Sequence, residues 1–399
     1  MTKPDPRASA PALTDETPFA RDLDALERKS VATILASQDR NGAFIASPDF
    51  AQYHFCWLRD ASFIAYALDR AGEHESSARY HGWVNDTVQS ISGIIDDVVA
   101  SDQRGDAVDP TLMPPARFAL DGTSVVDDWP NFQIDGYGTW LWSLGEHLKI
   151  SGRGGLPHEL RDSVARVSRY LGTFALHPCF DVWEESGTAI HTSTLACVFA
   201  GLTAAAHLLE DDSLARRAEV VRQRVLTATV PGGHYVKSTL NPDVDSSTLW
   251  LATPFALVSG ADDAFVRTVA EIESTLTLDG GLRRYAADTY FGSGAWPVLT
   301  ASLGWHRVNV GDLPGALKCR DWVVAKFHSD GRLGEQFGGE GRDPTHYREW
   351  VERWGVPAQN LTWSHAMFVI LNEAIRDAEA TANRSTSAAG QVPRSQENS

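Results

Sequence analysis

The stretch Leu195-Ala196-Cys197-Val198-Phe199-Ala200-Gly201-Leu202-Thr203-Ala204-Ala205-Ala206-His207-Leu208-Leu209 carries small or apolar residues all the way round a helical wheel. An amphipathic surface helix shows one apolar stripe; a helix apolar on several faces is sandwiched between others. The run is broken by Gly201, Thr203 and His207 and falls short of the ~18 uninterrupted apolar residues of a membrane span. Reading outward from it, helical periodicity covers about 21–38, 59–71, 75–98, 133–149, 157–174, 188–209, 212–228, 247–258, 262–275, 294–308, 312–328 and 361–379. In the second of these, Ala61, Ile64, Ala65 and Leu68 fall at i, i+3, i+4 and i+7. Strand alternation is scarce, and Gly232–Lys237 is the best short candidate. Twelve helices pair into six hairpins. Two concentric rings of six would bury a sandwiched helix on all sides, which a plain bundle of this size would not. The chain is therefore expected to be all-α, with two concentric rings of six helices as the arrangement that solves the burial, although no internal repeat proves the closure.

The 399 residues carry 35 Lys+Arg against 52 Asp+Glu, a formal net charge of −17, with 43% hydrophobic residues. That composition supports a large core and excludes wholesale disorder. The acidic balance speaks against nucleic acid or an anionic membrane as partner. Residues 1–20 and 380–399 lack apolar periodicity and read as a flexible N-terminus and a disordered C-terminal tail around a catalytic domain spanning 21–379. Cys56, Cys179, Cys197 and Cys319 form no CxxC spacing, and the polar, Pro-rich start has no signal-like apolar core. Both observations suggest a reducing, cytoplasmic setting. The 13 His show no HExxH or comparable spacing, and no phosphate-binding loop is present, so neither a metal nor another cofactor is expected.

The chemistry concentrates in the long connections 40–58, 99–132, 176–187, 276–293 and 331–360, rich in Trp, Tyr, Gly and charge. Phe180-Asp181-Val182-Trp183-Glu184-Glu185-Ser186-Gly187 sets two adjacent carboxylates beside a Trp, and Leu333-Gly334-Glu335-Gln336-Phe337 sets another Glu in a Gly-rich loop. Hydrolysis of a glycosidic bond needs two carboxyl groups in different protonation states, one to protonate the leaving oxygen and one to activate water or attack carbon. An aromatic wall raises a carboxyl pKa and so holds a proton near neutral pH.

These segments resemble those of glycoside hydrolase family 15, the glucoamylases and their relatives. Tyr53-His54-Phe55-Cys56-Trp57-Leu58-Arg59-Asp60 resembles the family's Tyr-x-x-x-Trp-x-Arg-Asp motif. Asp181–Glu185 resembles its acid motif, Leu333–Phe337 its base motif, and Leu361-Thr362-Trp363-Ser364-His365-Ala366 the opening of its last helix. Arg284-Tyr285 with Asp288-Thr289-Tyr290 and Trp296, and Trp129 with Gln133-Ile134-Asp135-Gly136, resemble two further motifs in the same order. The resemblance implies an (α/α)6 barrel and an inverting exo-α-glucosidase that releases β-glucose from a non-reducing end. It implies Glu184 as general acid, Glu335 as general base and Tyr53 beside the catalytic water. Arg59 and Asp60 would clamp the terminal glucose, the Val182 carbonyl would accept from the sugar, and Glu185 and Arg284 would contact it near the cleavage point. Trp57, Trp129, Trp183, Trp296 and Trp363 would wall the pocket, with Asp135 and Phe291 among the substrate-binding residues.

The sequence departs from the family at Phe291, where a second Tyr braces the residue matching Tyr53, and at Ile134, where the family has Arg. The expectation is that Tyr53 lacks its bracing hydroxyl. The Phe291 departure resembles family members acting on the α-1,6-linked disaccharide isomaltose. With no accessory binding module in the sequence, short α-1,6-linked oligosaccharides, isomaltose first, are the expected substrates and glucose the product. Action on α-1,4 chains, on dextran or on trehalose remains open, as does the oligomeric state.

Overall fold

The computed structural model describes residues 22–389, except 126, 128, 231 and 232, with the backbone alone from 385 to 389. Its helices are α1 (Leu23–Ala36), α2 (Leu58–Arg70), α3 (His74–Ser90), α4 (Ser92–Gln103), α5 (Asp135–Ile150), α6 (Arg161–Phe174), α7 (Thr192–Leu209), α8 (Asp212–Leu226), α9 (Asp263–Leu276), α10 (Pro297–Asn309), α11 (Leu313–Ala325), α12 (Gly339–Arg342), α13 (Pro344–Trp354) and α14 (Thr362–Ala389). Two short antiparallel ladders join Cys56–Trp57 to Arg117–Phe118 and Thr277–Leu278 to Gly281–Leu282.

A closed ring sits at the centre. α14 packs on α2, α2 on α5, α5 on α7, α7 on the 3-10 segment Ser246–Leu251, that segment on α10, and α10 back on α14. Outside it, α1 packs on α14, α3 on α2, α6 and α8 on α7, α9 on the 3-10 segment and α11 on α10. Outer and inner members alternate along the chain, so the inner six run parallel. The architecture is the expected (α/α)6 barrel, with α4, α12 and α13 added.

Burial explains which helices go inside. Every residue of α2 from Leu58 to Asp69 is buried, whereas α8 buries only Leu214, Ala218, Val221 and Val225. α7 has the length and composition of a membrane span, mean hydropathy 1.5 over 18 residues, yet lies packed between α5 and α8 in the ring. Glycine sets its distance to α5. A Cβ on Gly138 would meet the Cys197 carbonyl oxygen at 2.4 Å, and one on Gly201 the Gly138 carbonyl oxygen at 2.6 Å.

Four expectations change. The helix expected over 75–98 is two helices, α3 and α4, meeting at Ile91. The one expected over 247–258 is a single 3-10 segment that stops before Pro254, whose ring cannot continue a helix. The segment 331–360 contains α12 and α13. The last helix runs to Ala389, into the stretch expected to be a disordered tail. Within the candidate strand Gly232–Lys237, Tyr235 makes one isolated bridge to Thr229, and Gly232 lies outside the described residues.

Candidate active site

The inner segments begin at one end of the barrel, and the loops entering them meet there. Arg59 and Asp60 lie in the first turn of α2, Asp135 opens α5, Trp296 caps α10, and Trp363 lies in the first turn of α14. Of these, Arg59, Asp60, Trp296 and Trp363 line a cavity of about 370 Å³. Helix N-termini carry partial positive charge, which favours carboxylates in this position.

Glu184 and Glu335 both line the cavity. Glu335 is buried, and its Oε1 accepts a hydrogen bond from the Tyr53 hydroxyl at 2.7 Å while Oε2 has no partner. Glu184 is partly exposed; its Oε1 accepts from Trp57 Nε1 at 2.5 Å and lies 3.9 Å from Arg59 Nη2. Burial pushes both carboxyls up, Glu184 to about 7 against the opposing pull of Arg59, and Glu335 to about 8 against its bond from Tyr53. Both carboxyls therefore exchange a proton near neutrality, and Glu335 keeps its proton to a higher pH than Glu184 does. Proton transfer in both directions needs groups that titrate in this range.

The backbone at Glu184 is left-handed, φ 68°, and that of Ser186 is too, φ 54°. Non-glycine residues adopt this conformation at a cost and keep it only when their surroundings enforce it. Here the enforcement comes from Asp181. Its Oδ1 accepts the backbone N–H of Trp183 and of Glu185, each at 2.9 Å, and its carbonyl accepts that of Glu184 at 2.9 Å. Beneath the turn, buried Lys237 donates to Asp181 Oδ2 at 2.9 Å and to Asp245 Oδ2 at 2.6 Å, and Trp183 Nε1 donates to the same Asp245 oxygen at 2.9 Å. Burial opposes ionisation of Asp245, but Lys237 and Ser247 hold its pKa below the ordinary carboxylate value.

On the other wall, Arg284 Nη2 lies 3.2 Å from Glu185 Oε1 and also contacts Asp288. The Tyr285 hydroxyl donates to the second Glu185 oxygen. Arg59 pairs with Asp60 and Asp135, each at 3.2 Å, and Asp60 Oδ2 has no hydrogen-bond partner. The Arg117 guanidinium stacks 3.9 Å from the Trp129 ring centroid, fixing that wall by cation–π attraction. Aromatic faces beside ion-paired carboxylate and guanidinium groups suit a sugar, whose C–H faces stack while its hydroxyls bond at the edges. The sequence model of glycosyl hydrolases family 15 matches residues 20–342.

The chain belongs to glycosyl hydrolases family 15.

Relatives of this family 15 glycoside hydrolase narrow the comparison. It is 38% identical over 361 residues to the isomaltose glucohydrolase of Kribbella flavida, covering 88% of this chain and 93% of that one. It superposes on a wild-type glycosidase with a TM-score of 0.85 at 37% identity, covering 89% and 97% of the two chains. It shares the fold of the glucoamylase from Saccharomycopsis fibuligera, with a TM-score of 0.69 at 15% identity over 90% and 95%.

Of the residues expected at the site, the hydrolase brings Tyr53, Trp57, Arg59, Asp60, Trp129, Val182, Trp183, Glu184, Glu185, Arg284, Trp296, Glu335 and Trp363 to the cavity. Two stand apart. Asp135 is fully buried behind Arg59, whose charge it balances. Phe291 is fully buried in a separate apolar cluster with Phe50 and Ala358 and does not line the cavity. The expectation that Tyr53 lacks a bracing hydroxyl is also corrected: the neighbouring Tyr290 lines the cavity and places its hydroxyl 2.7 Å from that of Tyr53. The two rings pack edge to face, 4.8 Å between centroids, and only Tyr290 reaches the cavity. Trp350, Arg353 and Trp354 were missed as lining residues. Their signal was the helical spacing of Tyr347, Trp350, Val351 and Trp354 within a segment read as loop. Lys237, a lone basic residue, gave no signal.

Proposed function

We propose that this hydrolase is an inverting exo-α-glucosidase that releases β-glucose from the non-reducing end of short α-1,6-linked gluco-oligosaccharides, isomaltose first. The observation that carries the reading is the pair of carboxyls, Glu184 and Glu335, lining one small aromatic cavity with elevated pKa values. The similarity to an isomaltose glucohydrolase over most of both chains supports the linkage, and a similar glycosidase has been solved in complex with glucose. A cavity of about 370 Å³ lies at the small end of the ~300–1,000 Å³ typical of ligand pockets, which suits one or two sugar units at a chain end.

In this mechanism the terminal glucose lies between the two carboxyls. Asp60 and Arg59, themselves an ion pair, hold its hydroxyls by charge-assisted bonds. Protonated Glu184 gives its proton to the glycosidic oxygen as the bond to C1 breaks. Glu335 reacts in its ionised form, a fraction that grows as pH nears 8, and takes a proton through its unpartnered Oε2 from a water attacking C1 on the opposite face. Inversion follows, and the α-linked sugar leaves as β-glucose. The enzyme ends with Glu184 ionised and Glu335 protonated, and the proton returns through solvent. Glu185, held by Arg284 and Tyr285, borders the leaving sugar. The unpaired, buried cysteines fit a reducing cytoplasm as the site of action.

Glucose release from isomaltose, maltose, trehalose and dextran, each as kcat/KM, tests the substrate. Isomaltose is expected to lead. A tenfold preference for maltose or dextran would identify a glucoamylase or a dextran-acting enzyme instead.

A further inference from the structure

Three buried side chains from three helices meet at the end of the barrel away from the pocket. Asp69 lies nine residues after Asp60 on α2, about 13 Å along the helix axis. His81 comes from α3 and His147 from α5. One ligand atom from each lies within 4.8 Å of the other two. The three residues are 2%, 1% and 3% exposed. None of them lines the active-site cavity.

The polar accounting at this point does not close. His147 Nδ1 lies 2.9 and 3.0 Å from the two Asp69 oxygens. Ser77 donates to Asp69 Oδ2 at 2.7 Å, and His74 Nδ1 lies 3.0 Å from Oδ1. Yet neither ring nitrogen of His81 has a hydrogen-bond partner. A buried imidazole brings one donor and one acceptor, and leaving both unpaired is unfavourable. An apolar side chain would fill the same space without that cost, so the His calls for a ligand.

We propose that Asp69, His81 and His147 form a structural site for a divalent transition metal, zinc foremost. Two imidazoles and one carboxylate suit zinc and its neighbours, whereas magnesium and calcium favour all-oxygen sets. Zinc–ligand bonds of ~2.0–2.2 Å put neighbouring ligand atoms roughly 3.0–3.5 Å apart. The Asp69–His147 contact is already at the short end of that range, and a small movement of His81 completes the triangle. Ser77 and His74 are the outer partners that orient the carboxylate. The His74 side chain beside Asp69 is 35% exposed, so the cluster lies one residue from solvent. The ion would tie α3 to α2 and α5, whose other ends present Arg59, Asp60 and Asp135. It has no part in bond cleavage and does not depend on which sugar the pocket takes.

The test uses tag-free, full-length protein, stripped with chelator, reloaded with Zn²⁺ and freed of excess metal. Elemental analysis is expected to find one zinc per chain, and the reloaded protein to melt at a higher temperature than the stripped one. Co²⁺ in place of Zn²⁺ should give visible d–d bands. The His81→Leu variant removes a ring that makes no hydrogen bond. It is expected to melt at or above the stripped wild type, to retain no zinc and to gain nothing from added metal. Should that variant fail to accumulate, Asp69→Asn, which keeps an acceptor for Ser77, provides the same readout. Wild type that retains no stoichiometric zinc overturns the proposal. Retention of zinc by the variant equal to that of wild type overturns it as well.

Discussion

The Tyr290 hydroxyl lies 2.7 Å from the Tyr53 hydroxyl, which itself lies 2.7 Å from Glu335 Oε1. A phenol has one hydrogen to give. With Glu335 ionised, Tyr53 donates to the carboxylate and Tyr290 donates to Tyr53. Burial first, and then the Glu335 charge, hold the Tyr53 pKa well above its ordinary value, so Tyr53 stays neutral through the working range. The pH–rate curve is therefore expected to be a simple bell governed by the two carboxyls. Tyr290→Phe removes the brace and should distort the alkaline limb. Phe291→Tyr should leave the profile unchanged and lower stability by about 1–3 kcal/mol, since its hydroxyl would enter an apolar cluster without a partner. A pH profile that responds to Phe291→Tyr and not to Tyr290→Phe would contradict this network.

Lys237 holds the catalytic turn from beneath. Lys237→Met leaves Asp181 and Asp245 buried without their cation, which should cost about 3–5 kcal/mol. Urea denaturation measures this, and the same variant should lose activity because Asp181 no longer fixes the backbone at Glu184. A loss below about 1 kcal/mol would show that the ion pairs are replaceable by packing.

The elevated Glu335 pKa has a cost in stability. A carboxyl raised from 4.5 to about 8 on folding favours the protonated form. Its contribution is therefore present below its unfolded pKa and lost as pH rises through the folded one. Glu335→Gln removes that dependence. The melting temperature of the variant relative to wild type is expected to be least favourable near pH ~4.5 and to improve steadily until about pH 8. A difference that stays constant with pH would mean that Glu335 is not held protonated by burial.

Helix contact at Gly138 is tested by Gly138→Ala. The new methyl would meet the backbone of α7, which cannot step aside without moving the ring. The expected loss is about 1–3 kcal/mol, read by thermal or urea unfolding, despite the higher helix propensity of Ala. A stabilised variant would mean that α5 and α7 are less tightly apposed.

Much of the pocket was legible because its walls are short local motifs. Trp57, Arg59 and Asp60 share one turn, and Trp183, Glu184 and Glu185 share another, so adjacency in sequence stood for adjacency in space. What was lost depends on long-range contact or on orientation within a turn. Lys237 meets Asp181 across 56 residues, a pairing without a sequence pattern. The sequence placed the brace for Tyr53 at position 291, but the preceding Tyr290 makes that contact while Phe291 packs with Phe50 and Ala358. Asp135 shares the charge of a binding residue and acts behind it. The helices were visible in the apolar spacing, whereas closure of the ring by α14 on α2 left no repeat to read.

The central claim is that Glu184 and Glu335 act as acid and base on opposite faces of the sugar. Proton NMR of the products in the first moments of isomaltose hydrolysis, before mutarotation, tests it most directly. The account predicts that the anomeric signal of β-glucose rises first, with α-glucose appearing only as the sugar equilibrates. An initial burst of α-glucose would mean retention through an enzyme-bound intermediate and would contradict the account.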